Sequence, residues 1–266
     1  MDKSDSQLEA VVRYMKAHWP SKVKPEWQVG LDEYPAILKR IVSEFTVDAS
    51  RNRNIIRVAG LSGSGKTTQI LPAVDAYCEK NGLKPVLIAA RRFVEYHPHY
   101  VEIKDNYGEE NLRKMTDEFS TIMLFLTISG LVREGYDIVL DVTLLDPEIE
   151  KILLEMVNRG KYDLMILMIA TSPIVTEHFL REREWRHTKE TEEEFIRATA
   201  KALKFYADAA PDTRIVLWSV YDLGPVYDGP ISECLEVFAN YSQREELPRD
   251  DDDERREAKI KYLIAG

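Results

Sequence analysis

Residues 55–71 read IIRVAGLSGSGKTTQIL: a β-branched run, then glycines, a lysine and two threonines, then apolar residues again. Within it, Gly60-Leu61-Ser62-Gly63-Ser64-Gly65-Lys66-Thr67 fits the pattern G-x-x-x-x-G-K-[ST] without a mismatch. Glycines let such a loop curl until successive backbone N–H groups point inward at phosphate oxygens. A helix starting near Lys66 would add the positive end of its dipole. Lys66 would then bridge the β- and γ-phosphates, the Thr67 hydroxyl would bind Mg²⁺, and Thr68 would close the cradle. The motif therefore predicts a nucleoside triphosphate ligand with Mg²⁺.

Around this loop the pattern alternates between strands and helices. Apolar runs predict strands at 55–59, 85–90, 136–141, 163–170 and 214–218, with helical stretches near 66–81, 109–134, 147–159, 173–184 and 191–208. Short apolar strands separated by helices mean an α/β fold of the P-loop kinase type, a parallel sheet with helices on both faces. Two further helical stretches, within 6–20 and 34–46, precede the loop and are joined to it by the polar turn DASRNRN. The chain thus divides into an N-terminal helical extension (1–50), a kinase-like domain (51–242) and a charged tail (243–266).

Bulk properties narrow the function. A net charge of −10 argues against general nucleic-acid binding, which needs a basic face. Two cysteines, Cys78 and Cys234, are too few for a disulfide framework or a zinc site and read as buried thiols in a reducing compartment. The polar start MDKSDSQLEA is not a signal peptide, and the apolar stretch 122–132 is too short for a membrane span and reads as a buried helix. The expectation is a cytoplasmic protein without membrane contact.

A P-loop enzyme needs an acid at the end of a later strand, and GYDIVLD places Asp141 there, with Thr143 just beyond. No N-K-x-D guanine-reading motif is present. Arg181, Arg183, Arg186 and Lys189 cluster after the fourth strand, with Arg197 further on. Arginines at this point stabilise charge on a transferring phosphoryl group, with Arg183 first, or they pair with Glu177, Glu182 and Glu184 on an exposed helix.

These pieces, in the order AGLSGSGKT, FVEYHPHY, REGYDIVLDVT and ATSP followed by an arginine-bearing helix, resemble the zeta toxin family over roughly residues 52–220. That family comprises P-loop kinases of bacterial toxin–antitoxin systems, whose best-studied members phosphorylate UDP-N-acetylglucosamine with ATP. The resemblance implies catalytic roles for Lys66, Asp141 and Arg183, metal binding by Thr67 and Asp141, substrate binding by Thr143, and an antitoxin partner covering the ATP site. Arg186, Lys189 and Arg197 compete for a second lid arginine.

The departures bear on chemistry. Where the family carries an Asp-x-Asp pair, whose second acid deprotonates the acceptor, this chain reads Ala89-Ala90-Arg91-Arg92. Arg91 cannot accept a proton at any relevant pH. Phe125 stands where the family has a substrate-binding glutamate, and Leu145 replaces an arginine. Three accounts stand side by side. The base has moved, to Glu95, His97, His99 or Asp141; or Arg91 and Arg92 receive a different, anionic small-molecule acceptor; or the fold binds nucleotide as a regulatory module without transfer.

Overall fold

The computed structural model describes residues 12–13, 16–17, 22–61, 64–143, 147–181, 189–222 and 224–246, without the side chains of 179–181 and 189–192. The described chain forms two compact units, each built from two segments: 1–52 with 86–138, and 53–85 with 139–266.

The first unit holds α1 (Tyr34–Phe45), β2 (Val86–Ile88), α3 (Tyr100–Tyr107), α4 (Glu109–Met115) and α5 (Asp117–Glu134). Helix α5 is apolar all round and buries Ile122, Met123, Leu124, Phe125, Leu126 and Ile128, as a core helix must. Tyr34 of α1 stacks on Phe119 at 6.1 Å, and Phe45 meets Phe93 at 5.9 Å. Among the described residues no single helix is long and apolar enough to cross a membrane.

Two expectations for this unit are corrected. The strand expected over 85–90 stops at Ile88, and a 3-10 segment, Ala90–Tyr96, follows, its first turn closed by Arg92 N–H on the Ala89 carbonyl at 3.0 Å. The helix expected over 109–134 breaks between α4 and α5 with a 57° bend. There the Leu112 carbonyl accepts both the Thr116 N–H, at 2.9 Å, and the Thr116 hydroxyl, at 3.0 Å, a back-bond of the kind that bends helices. The polar turn joining the extension to the loop strand has a buried anchor: the Asp137 carboxylate accepts from Ser50 Oγ at 2.6 Å and Asn52 Nδ2 at 2.8 Å.

The second unit carries the strands β1 (Asn54–Ala59), β4 (Asp163–Ala170), β5 (Arg214–Ser219), β6 (Gly224–Pro230) and, from Val139 onward, β3 (Ile138–Asp141), in the order β3-β1-β4-β5-β6. Its helices are α2 (Leu71–Lys80), α6 (Pro147–Gly160), α7 (Pro173–Arg181), α8 (Lys189–Ala209) and α9 (Leu235–Ser242). Strands β1 and β4 pair in parallel with Arg57 opposite Ile166, and β4 and β5 pair in parallel with Met168 opposite Leu217. Alternation sends Ala59, Ile166, Met168, Ala170, Ile215 and Leu217 to one face, where they pack with Leu154 of α6, Leu203 and Tyr206 of α8 and Phe238 of α9. Trp218 faces the other way and donates to Gln69 Oε1 at 3.0 Å, just before α2. Helices thus cover both faces, and the central strands read as unbroken apolar runs.

The sheet is not wholly parallel. Strand β6 pairs antiparallel with β5, with an irregularity at Leu217/Trp218. Its sequence, GPVYDGP, carries two prolines that donate nothing to a ladder, so it belongs at an edge and gives no strand signal beforehand.

Candidate nucleotide site

The loop after β1 turns sharply because its glycines allow it. Gly60 has φ +140° and Gly65 φ +95°. A Cβ at Gly60 would lie 3.0 Å from Ser64 Oγ and 3.4 Å from the Ile169 carbonyl oxygen, so the loop packs directly on β4. The helix expected from Lys66 opens as a π-helical turn over Lys66–Ile70, with Leu71 N–H bonded to the Lys66 carbonyl, before α2 begins. Such wide turns recur at functional sites.

Lys66 Nζ donates to the Gly60 carbonyl at 2.6 Å and to the Leu61 carbonyl at 2.9 Å. Thr67 and Thr68 are exposed at the loop's end, and Thr68 Oγ1 donates to Gly65 O at 3.3 Å. Ser64 is 1% exposed, and its hydroxyl has no hydrogen-bond partner among the described residues. Ser62 and Gly63 lie outside the described residues.

Asp141 ends β3, the strand beside β1, and is 8% exposed. Just beyond it, the Thr143 hydroxyl donates to the same Gly60 carbonyl, at 3.3 Å. The exposed Thr67 hydroxyl and the Asp141 carboxylate are hard oxygen donors of the kind Mg²⁺ takes. Lysine, threonines and acid therefore come from two places in the sequence, 66–67 and 141–143, to one end of two adjacent strands, where open α/β sheets bind ligands.

Behind the loop stands a residue that motif reading passes over. Arg57 on β1 is 1% exposed and faces Glu150 of α6, 0% exposed, in a two-pronged ion pair. Tyr206 of α8 donates to Glu150 Oε2 at 3.0 Å, and Arg57 Nη2 donates to the Thr143 carbonyl at 3.1 Å. Burial opposes the charge on Arg57, but Glu150 and Tyr206 outweigh it and hold the guanidinium protonated more firmly than usual. The signal was a single charge inside the apolar strand NIIRVA, which must find a buried acid. Which acid, sequence spacing does not say.

Arg183 and Arg186 lie outside the described residues, and the Lys189 side chain is not described. Arg197 on α8 sits 3.8 Å from Glu193, four residues earlier. A cavity of about 610 Å³ is lined by Pro173, Ile174, Ile196, Arg197 and Arg244 among others, none from residues 60–68.

The remaining candidates belong to the first unit. Arg91 is exposed. Arg92 lies with its guanidinium 3.9 Å from the Phe45 ring centroid and donates to the Leu87 carbonyl, so it holds α1 and β2 to the 3-10 segment. His97 is 5% exposed, its Nδ1 accepts the His99 N–H at 3.1 Å, and its ring meets Phe119 edge-on. Burial, with neighbouring His99, pushes its pKa down to about 4, which makes it a weak base. Phe125 is 0% exposed in the α5 core.

The zeta toxin family model matches residues 40–219. The toxin PezT of Streptococcus pneumoniae serotype 4 is 26% identical over 125 residues, 47% of this chain and 47% of that protein. The chain thus spans about half the length of the curated relative it matches. Among solved structures, the PezAT chromosomal toxin–antitoxin system of Streptococcus pneumoniae superposes with a TM-score of 0.67 at 21% identity, over 90% of this chain and 99% of that one. The AvrRxo1-ORF1:-ORF2 complex with ATP superposes with a TM-score of 0.55 at 14% identity, over 88% of this chain and 84% of the other. At such identities these two structures speak for the fold alone.

Proposed function

The chain belongs to the zeta toxin family, and from that membership we propose that it is a P-loop kinase, transferring the γ-phosphoryl group of ATP to a small, anionic acceptor such as a nucleotide sugar. The observation that carries this reading is the convergence of Lys66 Nζ and the Thr143 hydroxyl on the carbonyl of Gly60, at 2.6 and 3.3 Å, beside the strand that ends in Asp141.

In this reading Lys66 exchanges the Gly60 and Leu61 carbonyls for β- and γ-phosphate oxygens, and the loop N–H groups from Gly60 to Thr68 hold the phosphates in line. Mg²⁺, when bound, neutralises charge developing on the phosphate oxygens; Thr67 and Asp141 would hold it. Arg183 supplies a further positive charge to the transferring group. Thr143, next to the phosphate lysine through Gly60, receives the acceptor. The loss of an aspartate at position 91 is tolerable because phosphoryl transfer passes through a loose transition state, in which positioning and electrostatics contribute more than proton removal. An antitoxin covering the ATP site is the partner that the family suggests, and the cytoplasm is the compartment.

A second reading, a nucleotide-binding regulatory module without transfer, is favoured by Arg91 and Arg92 and by Phe125, which offers no carboxylate from the α5 core. The test is incubation of γ-labelled ATP with UDP-N-acetylglucosamine, other nucleotide sugars, nucleotides and sugar phosphates, with Lys66→Ala as the blank. Label in an acceptor that vanishes with Lys66→Ala supports the kinase. ATP binding with every acceptor unlabelled transfers the case to the regulatory module.

A further inference from the structure

The core face of β1 is apolar except at Arg57, and there it is fully charged. Taking a guanidinium and a carboxylate out of water is costly, and apolar residues of the same volume fill such places without loss of stability. Packing alone therefore gives no reason for the pair. The reason lies in the second N–H of Nη2, the first being held by Glu150 Oε1 at 2.9 Å. Glu150 of α6 and Tyr206 of α8 clamp Arg57 from behind, and Nη2 reaches forward to the Thr143 carbonyl at 3.1 Å. Thr143 in turn gives its hydroxyl to Gly60, whose carbonyl also takes Lys66. A continuous chain of bonds thus runs from the buried ion pair to the phosphate lysine, through the segment that leaves β3 after Asp141.

We propose that Arg57 is a positioning residue for phosphoryl transfer: clamped by Glu150 and Tyr206, it fixes the main chain of Thr143, and so holds Asp141, Thr143 and Lys66 in one geometry around Gly60. A Met in its place fills the space but offers Thr143 no donor. A Lys keeps the charge but cannot fork between Glu150 and Thr143. The catalytic consequence rests on the kinase reading; the ordering of the Asp141–Thr143 segment does not.

The test uses the double variant Arg57→Met/Glu150→Leu, which removes both charges together and strands neither. Its thermal midpoint should stay within about 4 °C of the parent, since apolar replacement of a buried pair is near neutral. Amide exchange in a peptide covering residues 138–143 should accelerate at least about tenfold, with exchange in β5 unchanged. ATP turnover should fall about 10- to 100-fold in kcat, the size of effect that a misplaced catalytic group produces, while KM for ATP moves less than about threefold. Should the double variant fail to fold, Arg57→Lys is read by the same exchange measurement. A folded variant whose 138–143 peptide exchanges at the parent rate overturns the proposal, whatever its turnover. Accelerated exchange in a protein whose parent shows no Lys66-dependent turnover upholds the positioning and sinks the kinase reading instead.

Discussion

Replacing Gly60 with alanine tests the loop's construction most directly. Gly60 sits at φ +140°, a conformation that costs an L-residue about 1–3 kcal/mol. Its new methyl would also meet Ser64 Oγ at 3.0 Å and both Cβ and the carbonyl oxygen of Ile169 at 3.4 Å. The approaches to Ile169 are ordinary contact, but the buried Ser64 hydroxyl must give by a few tenths of an ångström in a packed loop, so crowding adds about 1 kcal/mol. The sum, about 2–4 kcal/mol, lowers the melting temperature of a chain this size by roughly 5–15 °C. Gly82→Ala supplies the control. It too has positive φ, +64°, but nothing within 4 Å of the added Cβ, so only the left-handed penalty of about 1–2 kcal/mol applies. The assay is thermal unfolding of parent, Gly60→Ala and Gly82→Ala, with ATP binding measured alongside. Gly60→Ala should be the less stable variant and should bind ATP more weakly. Equal melting of the two variants would refute the claim that Gly60 is crowded by Ser64, because positive φ alone would then account for everything.

Acid should destabilise the protein through His97. With a folded pKa of about 4 against an unfolded value near 6.5, the unfolded chain takes up a proton in this window that the folded one refuses. Stability therefore falls as pH drops from 6.5 towards 4, by up to about 1.4 kcal/mol per pH unit. Urea midpoints at pH 7 and pH 5 should diverge for the parent and less for His97→Gln; an imidazole titrating near 6.5 by NMR would dispose of the idea. Arg92→Ala should cost about 1–2 kcal/mol of stability, because it removes a cation–π contact to Phe45 and a charged donor to Leu87. An unchanged midpoint combined with a raised acceptor KM would show that Arg92 serves the acceptor and not the fold.

Local pattern carried much of this. The phosphate loop was legible because its chemistry requires particular residues at fixed spacing within a few positions. The central strands β1, β4 and β5 were legible because burial on both faces demands unbroken apolar runs. Helices α1, α6 and α8 fell within a residue or two of the periods that predicted them. Where the reading failed, a local signal was absent or misleading. Strand β6 looks like a loop because an edge tolerates its prolines. The bend between α4 and α5 falls at a threonine whose hydroxyl bonds back to the Leu112 carbonyl, and a lone threonine does not announce it. Helices α3 and α9 are short, and nothing in the sequence reading marked them.

The sequence by itself determined a P-loop on an α/β sheet, with an acid at the end of a later strand and a threonine just beyond it, because strand period and loop chemistry are short-range properties. Only the tertiary structure decided what holds that site. Glu150 and Tyr206 stand 93 and 149 residues from Arg57 along the chain. A buried charge dictates that it must be paired, but not with which of the many acids the chain carries. That choice is made by which helix lies across which strand, and packing settles it only when the whole sheet is assembled.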